Sequence, residues 1–122
     1  MANEITLTTG IQILKANLVG GVDQRTYQVD MAGTRFIRNV QAVGTTYEAI
    51  VTGDLASAGW ASFRNLDATN YIEIGLEVSA AFQSFIRINA GQTVGPFRLA
   101  TLSIFGRANT AAVNLDVFIS EA

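Results

Sequence analysis

The chain contains no cysteine and no histidine. Without cysteine there is no disulfide, no thiolate nucleophile and no iron–sulfur ligation, and the redox compartment is left undefined. Without histidine the usual general base, the commonest zinc ligand and a Ser-His-Asp arrangement are all missing. Charge is scarce as well: 15% of the 122 residues carry it, and the net charge is −2. The eight basic residues are scattered from Lys15 to Arg107. No run of them follows a phosphate backbone, so no nucleic-acid partner is expected. Long hydrophobic runs are absent too. The stretches 5–14 and 88–97 are free of charge but contain glycine and are far too short to span a bilayer, so no membrane partner is expected. The opening "MANEITLTTG" has neither a basic nor an apolar segment of the kind a signal peptide needs. The expectation is a soluble protein, or a soluble piece of an assembly.

What is present is apolar and alternating. Hydrophobic residues make up 49% of the chain, too many for disorder, and the length suits a single domain over residues 1–122. Helix signals are nearly absent. In 71–78, Ile72, Ile74, Leu76 and Val78 fall on one side and Tyr71, Glu73, Gly75 and Glu77 on the other, as a half-buried strand requires. Residues 113–120 repeat the pattern, with Val113, Leu115, Val117 and Ile119 against Asn114, Asp116, Phe118 and Ser120. Weaker strands are predicted over 4–8, 11–18, 25–31, 35–43, 47–52, 59–65, 82–88 and 97–107, with breaks at glycine pairs and small polar clusters. Residues 55–58 suit one helical turn at most, and Pro96 stands at the mouth of a strand. About ten short antiparallel strands must bury their faces against one another. The predicted fold is all-β: an antiparallel two-sheet sandwich, jelly-roll-like.

The stretch "RNLDATNYIEIG" gathers polar residues closely enough to suggest a site. Asn65, Asp67, Thr69 and Asn70 read instead as a tight hairpin turn between two strands, with Asp67 accepting backbone amides. The opening of an EF-hand loop matches at Asn65, Asp67 and Thr69. It then fails, because Asn70 stands where glycine is needed and Leu76 where glutamate is needed. Glu73 and Glu77 share one face of one strand and point the same way, not across a cleft as a glycosidase pair must. Lys15 reads as a surface charge, and Gly20-Gly21 as a turn without the context of a nucleotide loop. No catalytic, metal or cofactor residue is predicted, and the chain is not expected to be an enzyme. Trp60 sits on an alternating strand whose pattern does not decide which face is wet. With Tyr47 and Tyr71 it would form the stacking platform of a carbohydrate-binding module, the alternative reading.

Two aromatic residues fall on the wrong side. Phe118 lies among polar residues of the last strand, and Phe85 lies with Gln83 and Arg87. Apolar outliers on polar faces mark surface that a neighbouring chain, or a loop of the same chain, covers. The expected interface comprises Phe85 and Phe118, with Arg87 and Arg107 pairing with carboxylates at its rim.

The motifs "GTTYEAI", "GWASFRNLDATNYIEIG", "INAGQTVGPFRL" and "VFISEA" carry a resemblance over residues 44–122. This part of the chain resembles small structural proteins of tailed-bacteriophage virions, departing from them at "AGQ", where "AGE" is usual. Residues 1–43 match only in general character. The resemblance implies a β-sandwich virion component without catalytic residues. Its implied role is a capsid decoration (cement) protein, often a homo-trimer, seated on the major capsid protein. A tail, baseplate or fibre piece is the other role it implies.

Overall fold

The computed structural model describes residues 3–122. They contain ten strands: β1 (Ile5–Lys15), β2 (Leu18–Val29), β3 (Phe36–Val43), β4 (Glu48–Ala49), β5 (Trp60–Asn65), β6 (Ile72–Val78), β7 (Ala81–Ile88), β8 (Thr93–Arg98), β9 (Phe105–Ala108) and β10 (Val113–Ser120). No helix occurs among the described residues. The fold is all-β, with every strand pairing antiparallel. Two compact units divide the chain, Met1–Ala32 and Gly33–Ala122, so the sandwich occupies the second unit rather than the whole length.

The first unit is a β1–β2 hairpin. Where the sequence predicts two strands, 4–8 and 11–18, a single strand runs to Lys15 and turns at Ala16-Asn17. Gly20-Gly21 is therefore not a turn but lies inside β2. At Gly21 (φ 142°) a β-carbon would collide with the Ile11 carbonyl oxygen, so glycine is demanded by the close approach of the two backbones. The register jumps between Thr9 and Ile11, and this bulge supplies the break that the glycines suggested.

The second unit holds two four-stranded sheets, β3-β10-β5-β8 and β4-β9-β6-β7. Their pairings are nested: β6 with β7, β5 with β8, β4 with β9 and β3 with β10. The segment is in effect one long hairpin, folded at Ser79-Ala80 and rolled until β10 also meets β5 and β9 also meets β6. Ser79 and Ala80 have φ of 52° and 60°, the positive pair of a tight turn whose twist suits the flanking strands.

The core lies between the two sheets. Val113, Leu115, Val117 and Ile119 of β10 meet Ile72 and Ile74 of β6, with Phe63 and Ile88 beside them, all essentially without solvent contact. The predicted inward row on β6 ends early, because Leu76 and Val78 are exposed. Pairing with β9 stops at Gly75, and a bulge between Ile74 and Gly75 shifts the register with β7. Beyond it, β6 has only β7 alongside. The predicted strand 97–107 is two strands. Between them the Ser103 amide donates to Thr101 Oγ1 (3.0 Å), and this local turn competes with the ladder. Pro96 sits inside β8, an edge strand, beside a register shift between Ala61 and Phe63, where its missing N–H costs no interior bond.

Candidate functional site

The polar cluster at Asn65, Asp67, Thr69 and Asn70 is a corner, and it closes no hairpin. β5 belongs to one sheet and β6 to the other, so residues 66–71 cross between layers. Asn65, expected as a turn residue, is a fully buried clamp. Its Nδ2 donates to the carbonyl oxygens of Asn70 (2.8 Å) and Ile88 (2.9 Å), and its Oδ1 accepts from the Asp67 amide (2.8 Å). Asp67 Oδ2 accepts from the amides of Asn70 (2.6 Å) and Thr69 (3.0 Å). The Asn70 amide, followed by that of Thr69, holds the Asp67 carboxyl below its usual range. Thr110 Oγ1 donates to Asn70 Oδ1 (2.7 Å) and ties in the loop before β10. Every polar atom named is used within the chain. No group of three or more His, Cys, Asp or Glu that could hold a metal occurs among the described residues.

The outer face of the β4-β9-β6-β7 sheet is organised around Glu73. Arg107 Nη2 donates to Glu73 Oε1 (2.9 Å), Arg87 Nη2 lies 3.8 Å from Oε2, and Ser84 Oγ donates to Oε2 (3.3 Å). The hydrogen bond from Arg107 is the largest influence and lowers the Glu73 pKa; burial opposes it, and the Ser84 hydroxyl adds a lesser lowering. Arg87 also covers the Tyr71 ring (3.9 Å to its centre), and Arg107 lies over Phe82 (4.8 Å). Both arginines expected to reach a neighbour's carboxylates thus have a carboxylate of their own chain. β-strand register explains it: Glu73 stands opposite Arg87 on one side and Arg107 on the other. Phe85, on the same strand as Arg87, is 64% exposed and sits at the β6–β7 bulge.

Phe118 lies on the other sheet, so the two expected interface aromatics do not form one patch. It is half-buried and stacks on Phe36 (centres 5.6 Å apart), which is itself 65% exposed. Beside it Arg38 pairs with Asp116 (3.2 Å). Arg38, Ser62, Arg64, Thr93, Asp116 and Phe118 line a shallow hollow of about 300 Å³.

Sequence reasoning missed a third feature, the clasp at Glu121. This carboxylate is buried at the closing end of β10. Its Oε2 accepts from the Ala56 amide (2.7 Å), and its Oε1 accepts from the amides of Thr34 (3.0 Å) and Arg35 (3.1 Å). The Ala56 amide, then that of Thr34, lowers its pKa. Gly33 and Gly59 pack directly on Glu121, leaving no space for a side chain at either place. Gly33 and Gly59, far apart in sequence, are the trace this clasp leaves there.

The aromatic trio weighed as a sugar platform does not converge. Trp60 opens β5 of one sheet, whereas Tyr47 and Tyr71 flank strands of the other. Tyr47 stacks on Phe82 (5.5 Å) and donates its hydroxyl to Glu77 Oε2 (2.8 Å), a bond that raises the phenol pKa. One face of Tyr71 is occupied by Arg87.

No family model, no curated protein and no solved structure matches the chain.

Proposed function

We propose that the chain is a structural component of a bacteriophage particle: a homo-oligomeric capsid decoration (cement) protein that binds the major capsid protein and stabilises the shell. The observation that carries the reading is a sandwich that leaves large apolar side chains in water on both outer faces, Phe36 and Val40 on one sheet and Phe85 on the other. Such surface is what a monomer normally avoids and what an assembling subunit needs. Two four-stranded sheets with nested pairing are read here as a jelly roll, an architecture used by viral capsid domains and by lectins alike. The architecture alone does not choose between them. The motifs in 44–122 resemble those of virion proteins, and the polar clusters in this part of the chain are occupied by their own partners, which favours a part that holds shape over one that performs chemistry. The proposed location is the virion, with no cofactor. The mechanism is additive: each exposed phenylalanine buried against a neighbour contributes on the order of 2 kcal/mol, repeated over the shell.

A carbohydrate-binding module in host attachment is the second reading, and the separation of Trp60 from Tyr47 and Tyr71 weighs against it. A tail, baseplate or fibre position uses the same surfaces on a different neighbour. Co-sedimentation with shells assembled from bacteriophage major capsid protein tests the proposal. Saturable binding that raises the temperature of shell rupture is expected. A strictly monomeric chain that stays in the supernatant, or a saturable tryptophan-fluorescence change with sugars, overturns it.

A further inference from the structure

The two sheets of the sandwich divide the charge unequally. Strands β4, β6, β7 and β9 carry Glu48, Glu73 and Glu77 against Arg87 and Arg107, and both of those arginines are drawn to Glu73. Strands β3, β5, β8 and β10 carry Arg38, Arg64 and Arg98 against a single carboxylate, Asp116. Alternation puts these four on the outer face: buried Leu115 and Val117 flank Asp116, and buried Phe63 and Asn65 flank Arg64. Asp116 is committed to Arg38 (3.2 Å). Arg64 stands opposite Asp116 on one side and Thr93 on the other, yet neither it nor Arg98 has an ion pair among the described residues. Arg64 is exposed and borders the hollow of about 300 Å³ that Phe118, Ser62 and Thr93 also line. Phe36 and Val40, 65% and 57% exposed, continue the same face on β3.

We propose that this outer face docks an acidic protein surface, one that presents Asp or Glu side chains beside apolar ones. Charge complementarity carries the assignment. The chain as a whole is acidic, with a net charge of −2, so an arginine excess on one sheet is not a by-product of general basicity. Arginine is the side chain that takes a carboxylate with two parallel hydrogen bonds, and Arg64 has its donors available at the edge of a hollow that admits a side chain. Phe36 and Val40 supply apolar contact next to that point, in the manner of an interface that pairs apolar surface with an arginine rim. A second copy of the chain is a poorer occupant. On its other sheet Glu73 is already held by two arginines and Glu77 accepts from Tyr47, so neither carboxylate is available to Arg64. A nucleic acid is poorer as well, since the acidic chain repels a phosphate backbone and Phe118 is stacked on Phe36 rather than held out for a base. The rim role expected of Arg87 and Arg107 thus passes to the arginines of the opposite sheet. The inference deepens the proposed function by naming the docking side and the chemistry it meets, and it rests on that reading only for the partner being a shell protein.

The test titrates the isotope-labelled full chain with a short peptide alternating glutamate and leucine and follows backbone amide shifts by NMR. Saturable shifts are expected on β3, β5, β8 and β10 and not on β6 or β7. Arg64→Gln is expected to weaken the peptide about fivefold, the equivalent of one charge-assisted bond at an exposed site. Lys15→Gln removes the same charge from the β1–β2 hairpin and is expected to change nothing. Asp116→Asn is expected to tighten binding about threefold, because it deletes the competing carboxylate and releases Arg38. A purely structural Asp116 would show no such gain. Equal binding of a lysine–leucine peptide, or an Arg64→Gln chain that binds as wild type does, overturns the proposal. So does an oligothymidylate that shifts the same amides at lower concentration, which assigns the face to nucleic acid. Shifts of these amides on raising the protein concentration alone assign it to a second copy and overturn it too. Shells that bind Arg64→Gln as well as wild type overturn this face and leave the capsid reading standing. Peptide binding lost in Arg64→Gln, with no binding to shells, supports the face and overturns the capsid reading.

Discussion

Replacing Asn65 tests whether the corner between the sheets is held by one amide. Asn65 is 0% exposed and makes three hydrogen bonds of 2.8–2.9 Å, two as donor and one as acceptor. Asn65→Ala removes all three and leaves the Ile88 and Asn70 carbonyls and the Asp67 amide without this partner. A net loss of about 1 kcal/mol per bond, plus the desolvation cost of whichever groups water cannot reach, gives a destabilisation of roughly 3–5 kcal/mol. For a unit of this size that lowers the melting midpoint by about 15–25 °C. Asn65→Asp separates chemistry from shape. It keeps the outline but points a carboxylate at two carbonyl oxygens, which favours the protonated form and raises the carboxyl pKa in the folded state. A raised acid pKa costs stability once the pH exceeds the unfolded value, and the cost grows until the folded pKa is passed. The gap between Asn65→Asp and wild type is therefore smallest in acid and widens toward neutral pH. Thermal unfolding followed by circular dichroism across a pH series measures both effects. A change below about 1 kcal/mol for Asn65→Ala, or a pH-independent gap for Asn65→Asp, refutes the clamp.

Four further outcomes follow from the same geometry. Glu121→Gln flattens the acid side of the stability profile: the folded pKa is lowered, so the carboxylate's contribution is present above the unfolded value and is lost as pH falls through the folded one, which a pH series of melting points shows directly. Phe63→Ala, at a fully buried site between the sheets, costs about 3–5 kcal/mol and moves the urea midpoint without changing the slope. Ala80→Gly relieves a positive φ of 60° at the β6–β7 turn and raises stability by up to about 1 kcal/mol, net of the glycine's extra freedom in the unfolded chain, which thermal unfolding measures. Phe85→Ser leaves the melting point within the change expected of about 0.5 kcal/mol, since the ring is exposed, but weakens co-sedimentation with shells.

Alternation made the layers legible. The inward row of β10 and the first half of that on β6 could be read directly, because each packs against an opposing sheet along that length. Pairing partners were not legible. β5 and β6 are consecutive and joined by a polar turn, which reads as a hairpin; only the structure shows that they part into different sheets. Nothing local records that Asn65 reaches Ile88, twenty-three positions away. The glycines misled for a related reason. Gly20-Gly21 was read as a turn, whereas Gly21 serves close backbone approach inside a strand, and a sequence does not distinguish that demand from a turn's. Phe85 and Phe118 were read as outliers and are so placed, but on different sheets. Arg87 and Arg107 were assigned to a neighbour because the register that gives both to Glu73 is a long-range fact.

The nested strand order has a consequence for synthesis. The shortest connection joins β6 to β7, and each pair outside it closes a longer loop, up to β3 with β10, where Phe36 meets Ser120. Long-range closures come late and slowly. β10, which fills the middle of one sheet, is synthesised after both strands it pairs with, so a nascent chain arrested before Val113 carries its core half-open and prone to clumping with its neighbours on a polysome.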